Sequence, residues 1–342
     1  MVNVLSHLPS LVSLDVTPMP DTKLLPVIHQ YRPNLKLLAY HSNDPCDLVY
    51  DDAQQGLEKF FIGQLSDTYS SDDLIMTLIQ HCGSLKELRL IGAITGNTMT
   101  LEGSNIEFAR LEKLEIEATD ESLIPLTTSI IQRAPHLHTV YINPIGREEE
   151  DLFNAIINLR HLRRFCAWTT TKHCPSFSKF LRHHIDLGKR STLEELEIAL
   201  EMFTTPKYWF SAIARLRYLR TFILWFCHRP TGGAGDYVDY RSIMSTLSEG
   251  CPSLENLSLF ATYATIPKGS ICPLHAHPGL RSLTIESQDE IPPGDITAIL
   301  AIPNLKHLVL DVPMNDDMLQ LLQSSIPRVE YKYTPTPYHR IV

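Results

Sequence analysis

The chain has 342 residues, 44% of them hydrophobic and 20% charged, enough for one large repeat domain or two globular domains with substantial cores. Its 30 Lys and Arg are outnumbered by 39 Asp and Glu, and the net charge of −9 argues against a nucleic-acid partner, which needs a basic surface. Neither a membrane-spanning apolar run nor a signal peptide is visible. The seven scattered Cys form no CxxC pair, which predicts reduced thiols and a cytoplasmic or nuclear location.

A short motif recurs along almost the whole chain. Its form is L-x-x-Φ-x-Φ, where Φ is apolar, as in LPSLVSLDV at 8–16, CGSLKELRL at 82–90, STLEELEI at 191–198 and PNLKHLVL at 303–310. The first position falls at Leu11, Leu35, Leu57, Leu85, Leu111, Leu137, Leu162, Leu193, Leu219, Leu254, Leu280 and Leu305, with a degenerate copy at Val329. Copies are 22 to 35 residues apart. A period of this length predicts a repeat protein.

Helices are predicted in the segments between the motifs. Residues 71–82 carry apolar side chains on one face, behind a Ser cap and an acidic first turn, and residues 147–159 also open with acidic residues. Thr205 and Pro206 form a typical helix start before Trp209, Phe210 and Ile213. Asn315 begins the last helix, whose predicted buried residues are Met318, Leu319, Leu322 and Ile326.

A short strand followed by a helix in each repeat predicts an α/β solenoid. We expect about thirteen irregular repeats in a horseshoe, with a parallel sheet on the concave side and helices on the convex side. The predicted solenoid covers residues 1–333, and residues 334–342 form a C-terminal tail. The alternative is an ordinary doubly wound α/β domain, but no Gly-rich nucleotide-binding turn follows the first strand.

The repeated motif resembles the leucine-rich-repeat family over residues 4–333, although the asparagine that follows the core of regular repeats is mostly missing. The irregular repeat length is similar to that of the repeat region of F-box proteins, particularly fungal ones. That resemblance implies a substrate-recognition component of a cullin-type ubiquitin ligase, in which an F-box holds a Skp-type adaptor.

The F-box itself is not recognisable in the chain, whose first motif begins at Leu11. Residues 4–11 align with 298–305, so the chain starts inside a repeat without a visible N-terminal cap. A Skp-type adaptor is therefore expected only if an F-box is encoded upstream. The alternative function is a stand-alone scaffold or regulator of another protein.

Side chains alternate across a strand, so motif positions 4 and 6 point into the solenoid and positions 3, 5 and 7 line the concave face. Trp168 and Trp225 both fall at position 7, two repeats apart, with Ala199 between them. Strand spacing predicts about 10 Å between the two indoles and a small-residue notch between them. We predict that a protein ligand binds on this concave face, at Tyr141, Cys166, Trp168, Glu195, Glu197, Ile223, Trp225 and Phe260.

Two alternatives to binding stay open at this site. The aromatic residues could instead pack against the segments inserted after these strands, at 169–176 and 227–239. The acidic residues Glu115, Glu117, Glu195 and Glu197 could select a basic peptide or form a solvated face. The sequence predicts that Trp168→Ala combined with Trp225→Ala abolishes partner capture and leaves the melting temperature nearly unchanged.

No catalytic, cofactor or metal site is predicted. Cys272, His275 and His277 lack the paired spacing of structural zinc ligands, as does the group of Cys166, His173 and Cys174. His277 is expected in a packed helix-to-strand junction, and the pair His183-His184 near a helix end. The Gly-rich segment 231–236 is not followed by the Lys-Ser/Thr of a phosphate-binding loop. The predicted function is therefore protein binding without enzymatic activity.

Overall fold

The computed structural model describes residues 10–16, 35–41, 56–65, 71–92, 101, 106–118, 123–145, 150–169, 174–200, 207–226, 239–261 and 266–333. The chain divides into two compact units, Met1–Phe165 and Cys166–Val342. Each unit consists of parallel strands joined by connections that contain helices. The predicted C-terminal tail, 334–342, lies outside the described residues, and the extent of the solenoid domain stays a prediction.

The first unit contains strands β1 (Ser13–Val16), β2 (Leu37–His41), β3 (Lys59–Leu65), β4 (Glu87–Gly92), β5 (Lys113–Ala118) and β6 (Thr139–Ile145). Its helices are α1 (Ser71–His81), α2 (Ile124–Gln132) and α3 (Glu150–Ile157). Each strand pairs in parallel with the next, and position 4 of one repeat faces position 4 of its neighbour, as Leu88 faces Leu114. Strand β7 (Arg164–Thr169) begins in this unit and ends in the second.

The second unit contains β8 (Glu195–Leu200), β9 (Thr221–Phe226), β10 (Asn256–Ala261), β11 (Ser282–Ser287), β12 (His307–Asp311) and β13 (Arg328–Tyr331). Its helices are α4 (Pro175–Leu187), α5 (Lys207–Ile213), α6 (Tyr240–Gly250), α7 (Pro293–Leu300) and α8 (Asp316–Ser325), with short 3₁₀ segments at Gly188–Arg190 and Cys272–Ala276. Strands β8 to β13 again pair in parallel with their successors, with equal motif positions in register.

The register is set where each strand begins. The backbone N–H groups of motif positions 2 and 3 both donate to the carbonyl of position 2 in the preceding repeat, as Arg220 and Thr221 do to Glu194. The same pair of bonds joins Lys86 and Glu87 to the carbonyl of Glu58 in the first unit. In the last repeat, position 2 is Pro327, which has no N–H, and Arg328 donates to the carbonyl of Lys306. Because the pair of bonds recurs in most of the described repeats, those repeats enter the sheet at the same motif position.

The core is formed by the apolar positions of the motif. Position 1 is buried in every repeat from Leu35 to Leu305, and strands β4, β9, β10 and β11 alternate between buried and partly exposed residues. Helices of successive repeats contact one another within each unit, α2 with α3 in the first and α4 to α8 in series in the second, with the Cys272–Ala276 segment between α6 and α7. This alternation of stacked strands and helices is the leucine-rich-repeat solenoid fold that the sequence predicts.

The helix predictions are confirmed in the described part of the chain. Ser71 begins α1, and Asn315 caps α8 by accepting a hydrogen bond of 2.9 Å from the N–H of Met318. Trp209, Phe210 and Ile213 of α5 are all buried. In α8, by contrast, only Leu322 is buried within the helix, whereas Met318 and Leu319 are partly exposed.

The alignment of the last repeat was wrong by three residues. Val329 pairs with Leu308, a position 4 residue, and therefore occupies position 4 rather than position 1. Ile326, which is 6% exposed and directly follows α8, takes the first position. The last connection is consequently shorter than the sequence alignment implied. No helix in the described segments has the length and hydropathy that a membrane crossing requires.

Candidate functional site

The outer face of the sheet, which we define as motif positions 3, 5 and 7 of each strand, carries a group of aromatic side chains in the second unit. Trp225 on β9 and Phe260 on β10 occupy position 7 and lie in register. Their rings stack, with centroids 3.8 Å apart and planes inclined by 12°. Trp168 at the end of β7 joins them, its centroid 6.4 Å from that of Trp225. We call these three residues the aromatic cluster, and all three are partly exposed.

Glu197 holds the central ring of the aromatic cluster. Its carboxylate accepts a hydrogen bond of 2.8 Å from the indole N–H of Trp225. Glu197 is 8% exposed although it lies at position 5, on the outer face. A buried carboxylate needs donors, and the indole N–H supplies one, so the bond holds the orientation of the Trp225 ring. The sequence placed both residues on the same face but did not pair them.

The predicted notch between the two indoles is absent. Ala199 pairs with Trp225 across β8 and β9 and is fully buried. The indole centroids are 6.4 Å apart, closer than the roughly 10 Å expected from strand spacing. An alanine leaves space that large neighbouring side chains fill, because protein interiors pack closely. The aromatic cluster is therefore a continuous surface without a cleft at Ala199.

Cys166 is not part of an accessible surface. The sequence placed it at position 5 of β7, on the outer face, but it is 1% exposed. Ile223, at the same position in β9, and Glu195, at position 3 of β8, are partly exposed as predicted. Of the residues proposed for binding, five therefore lie on the outer face of the second unit with some exposure: Trp168, Glu195, Ile223, Trp225 and Phe260.

Tyr141 belongs to the first unit and has different surroundings. Two cations lie against its ring, the ammonium of Lys113 at 5.5 Å and the guanidinium of Arg164 at 5.0 Å from the centroid. These contacts are cation–π interactions. The role of Tyr141 in partner binding stays a prediction.

Glu115 and Glu117, the two acidic residues of the first unit that the sequence singled out, are neutralised locally. Glu115 lies 2.9 Å from the guanidinium of Arg89 and 3.3 Å from the ammonium of Lys113, and Glu117 lies 3.9 Å from Arg89. All four side chains lie on the outer face of β4 and β5. These pairs are exposed, so each contributes little to stability, but together they cancel the negative charge that the sequence suggested could select a basic peptide here.

Some of the described residues that were considered for metal binding have structural partners. His277 is fully buried, its Nδ1 accepts hydrogen bonds from the N–H groups of Gly279 and Leu280, and its Nε2 donates to the carbonyl of Cys251 at 3.1 Å. This is the packed junction predicted for it, and burial lowers its pKa. Cys174 is buried and caps α4 by accepting from the N–H of Phe177. Within the described ranges, no three His, Cys, Asp or Glu residues are arranged to hold a metal ion.

His184 is a core residue rather than a surface one. It is 4% exposed, its ring packs edge-on against Phe180, and its Nδ1 lies 2.9 Å from the hydroxyl of Ser191. Burial is the main reason why its pKa falls to about 4, and the neighbouring His183 lowers the pKa further. His184 is therefore neutral near pH 7 and stabilises the connection between α4 and β8.

Several features named from the sequence lie outside the described residues. They include His173, the helix start at Thr205 and Pro206, the Gly-rich segment 231–236 and most of the insertions that follow β7 and β9. Asp239, at the end of the second insertion, is described and caps α6 by accepting a hydrogen bond of 3.0 Å from the N–H of Ser242. Whether the aromatic cluster packs against the insertions therefore stays open.

No protein-family model matches the sequence, and no curated protein gives a significant match. Among solved structures, the chain is similar to one from the Toll–Spatzle complex, described as a molecular hub in Drosophila development and innate immunity, with 12% identity over 97% of this chain and a TM-score of 0.43. The chain spans 42% of the length of that protein. A chain of the yeast Rad7–Elc1 complex shows 18% identity over 98% of this chain and 86% of its own length, with a TM-score of 0.37. At these scores neither likeness bears on function.

Proposed function

We propose that the protein is a non-enzymatic protein-binding module whose partner contacts the aromatic cluster. The observation that carries the proposal is the stack of Trp225 on Phe260, extended by Trp168, on a partly exposed sheet face. Aromatic side chains with restricted rotamers supply large contact area at low entropic cost and are enriched at interaction hot spots. The hydrogen bond from Trp225 to Glu197 orders the surface before any partner arrives, which reduces the cost of binding.

A more specific proposal is that the protein recognises the substrate of a cullin-type ubiquitin ligase. Its support is the resemblance of the irregular repeats to those of F-box proteins. In this role the aromatic cluster would hold the substrate, and a Skp-type adaptor would bind an F-box encoded upstream. A stand-alone scaffold or regulator that uses the same cluster is the alternative, because the cluster accounts equally well for both.

The binding face is tested by site-specific photo-crosslinking. A photoreactive amino acid replaces Ile223, which lies on the outer face beside Trp225, and in a control it replaces Arg241 on the exposed side of α6. We expect a specific protein to be crosslinked from position 223 and not from position 241. That protein is then purified, and its dissociation constant for the unmodified chain is measured.

For the measurement of this dissociation constant, the structure favours a different double variant from Trp168→Ala with Trp225→Ala. Trp225→Ala would remove a hydrogen-bond donor from the buried carboxylate of Glu197, so a loss of binding could reflect a loss of stability. Trp168→Ala with Phe260→Ala removes contact area without touching that bond. We expect this double variant to weaken binding at least tenfold. The matched control is Leu321→Ala, which shortens a 46% exposed leucine on α8. Equal affinities for the wild type and the double variant would overturn the proposed face.

The ligase role is tested by measuring the abundance and the ubiquitination of the partner in cells. If the identified partner is a ligase substrate, the Trp168→Ala, Phe260→Ala variant should raise its abundance and lower its ubiquitination in cells, and a Skp-type adaptor should co-purify with the full gene product. A partner whose abundance and ubiquitination are unchanged, while its activity or location changes, would instead support the scaffold.

A further inference from the structure

A cleft lies in the second unit where helices α4 and α5 lead into the strands that follow them. Its volume is about 360 Å³, which is within the range of small-ligand sites. Three exposed cationic side chains line it: Lys189, Arg215 and Arg217. The described residues that line this cleft include no carboxylate and no member of the aromatic cluster. The cleft is therefore a separate, cationic surface.

The three cations are not neutralised within the described part of the chain. Their side chains form no hydrogen bond or salt bridge there, and Asp186 and Glu194, which flank Lys189 in the sequence, pair with none of them. The adjoining cleft, which shares Lys189, is different. Its other charged side chains are two carboxylates and two guanidinium groups, Glu194, Glu255, Arg220 and Arg281. Excess positive charge is therefore specific to the first cleft.

The cations also outweigh the helix ends beside them. Helix α4 ends at Leu187 and α5 at Ile213, so two helix C-termini adjoin the cleft. Each C-terminus carries at most about half an elementary negative charge, which leaves about two positive charges from the three cations. A phosphate monoester carries about 1.5 to 2 negative charges at pH 7. It matches this excess better than a carboxylate, which carries a single charge.

The backbone holds the cations in defined turns. Gly188 has a φ of 52°, which glycine tolerates, and it connects α4 to the 3₁₀ segment that carries Lys189. After α5, the N–H of Arg217 donates to the carbonyl of Arg215 at 3.0 Å. Leu216, between these two residues, is buried. Both arginines are consequently exposed on a short connection that is anchored in the core.

A buried polar atom of a lining residue lacks a partner. His184 lines the cleft, is 4% exposed, and has its Nδ1 2.9 Å from the hydroxyl of Ser191. Because Ser191 already accepts from the N–H of Leu193 at 3.3 Å, we assign its own proton to the bond with Nδ1, and Nε2 of the neutral ring then carries the ring proton. This Nε2 has no hydrogen-bond partner in the described residues. An unpaired buried donor is unfavourable, and a ligand oxygen or a bridging water would satisfy it.

Apolar side chains complete the lining. Ile185 is partly exposed and Tyr218 is 39% exposed. We propose that the cleft binds a phosphate monoester, whose dianion lies at Lys189, Arg215 and Arg217 and whose organic part lies against Tyr218 and Ile185. The monoester belongs either to a free small molecule or to a phosphorylated residue of a protein, and both sources present the same chemistry to the cleft.

The test is isothermal titration calorimetry of the whole chain in a phosphate-free buffer. The ligands are phenyl phosphate, inorganic phosphate, which has no organic part, and benzoate, which has the ring but a single negative charge. We expect phenyl phosphate to saturate the protein with a dissociation constant of about 1 mM or lower. It should bind about tenfold more tightly than either of the other two ligands, because only phenyl phosphate uses both the cations and the apolar lining.

Two variants separate the two halves of the site. Arg215→Gln with Arg217→Gln should weaken the binding of phenyl phosphate by about tenfold or more. Tyr218→Ala should weaken the binding of phenyl phosphate and leave that of inorganic phosphate unchanged. The matched control is Arg241→Gln with Lys306→Gln, which removes two exposed cations of the same unit that do not line the cleft. Thermal melting of each variant confirms that it is folded.

A capped five-residue peptide with a central phosphoserine distinguishes the two sources. Binding tighter than that of phenyl phosphate would assign the cleft to a phosphorylated protein, and weaker binding would assign it to a small molecule. If the arginine variant melts below the wild type, Lys189→Gln takes its place, with the same expected direction.

Three outcomes would overturn the inference: no saturable binding of phenyl phosphate to the wild type, equal affinities of the wild type and the Arg215→Gln, Arg217→Gln protein, or benzoate binding as tightly as phenyl phosphate. The Trp168→Ala, Phe260→Ala variant should bind phenyl phosphate as the wild type does. Failure of this inference is therefore distinct from failure of the proposed function.

Discussion

The indole N–H of Trp225 donates a hydrogen bond of 2.8 Å to the carboxylate of Glu197, which lies one repeat earlier on the neighbouring strand and is 8% exposed. The two residues are at positions 7 and 5 of their motifs, so the bond runs diagonally across β8 and β9. It couples an acidic side chain below the surface to the central ring of the aromatic cluster. A change at Glu197 should therefore alter the cluster as well as the free energy of unfolding.

A double-mutant cycle measures this coupling. Hydrogen bonds to charged groups contribute about 1.5–3 kcal/mol, so Glu197→Ala should lower the free energy of unfolding by an amount in that range. In a Trp225→Phe background the same change should cost about 1.5–3 kcal/mol less, because the bond is already lost. Urea denaturation of the four proteins gives the coupling energy. Strictly additive effects would show that the bond contributes nothing to stability.

His184 should make the protein less stable in mild acid. Its pKa is lowered to about 4 in the folded chain, mainly by burial, whereas an unfolded histidine titrates near 6.5. As the pH falls below about 6.5, the unfolded state binds a proton that the folded state does not, so stability is lost down to about pH 4. The loss is on the order of 3 kcal/mol.

The variant His184→Asn isolates the contribution of this group. Asn cannot titrate in this range but can still form a hydrogen bond with the hydroxyl of Ser191. We expect a lower melting temperature than that of the wild type at pH 7 and a gap that narrows toward pH 4. A gap that is constant across these pH values would contradict the buried, neutral state of His184.

Cys251 should resist thiol reagents in the folded protein. Its side chain is fully buried, its Sγ lies 3.4 Å from the carbonyl oxygen of Ile213, and burial raises its pKa to about 12. The thiolate is the reactive form, so alkylation needs unfolding of this region. Timed labelling with iodoacetamide followed by peptide mass spectrometry should show Cys251 modified only in denaturant. Modification of native Cys251 at the rate of a short peptide would rule out this burial.

Asp295 should be essential for the connection that precedes β11. This fully buried carboxylate on α7 accepts hydrogen bonds from the N–H groups of Gly269 and Ile271, both at 2.8 Å, and of Cys272 at 3.2 Å. Asp295→Ala leaves these donors without their acceptor, and the N–H of Ile271 is buried while the other two are partly buried, so it should cost at least about 3 kcal/mol. Asp295→Asn should cost less, because its amide oxygen still accepts.

The control for Asp295 is Glu290→Gln, which removes an exposed carboxylate close by in the sequence and should change stability by less than about 0.5 kcal/mol. Thermal melts of the three variants make the comparison. If Asp295→Ala melted at the same temperature as the control variant, the carboxylate would have no structural role.

Much of the fold could be predicted because the short sequence of each leucine-rich repeat indicates its own strand and its own buried positions. Alternation along each strand assigns residues such as Leu196 and Trp225 to opposite faces without knowledge of any other strand. This indication failed in the last repeat, where Val329 resembled a first position and Ile326 extended the apolar pattern of α8. Only the hydrogen-bonded register with β12 distinguishes position 1 from position 4 there.

The amino-acid sequence by itself determined the repeat, its parallel strands and the set of side chains on the outer face, because each follows from the period of apolar residues. The tertiary structure alone decided which of those side chains meet. It brought the two indoles within 6.4 Å of each other, bonded the buried Glu197 to Trp225, and paired Glu115 and Glu117 with Arg89 and Lys113. Such contacts depend on rotamers and on distances between neighbouring strands, and these quantities have no signature in the spacing of residues along one chain.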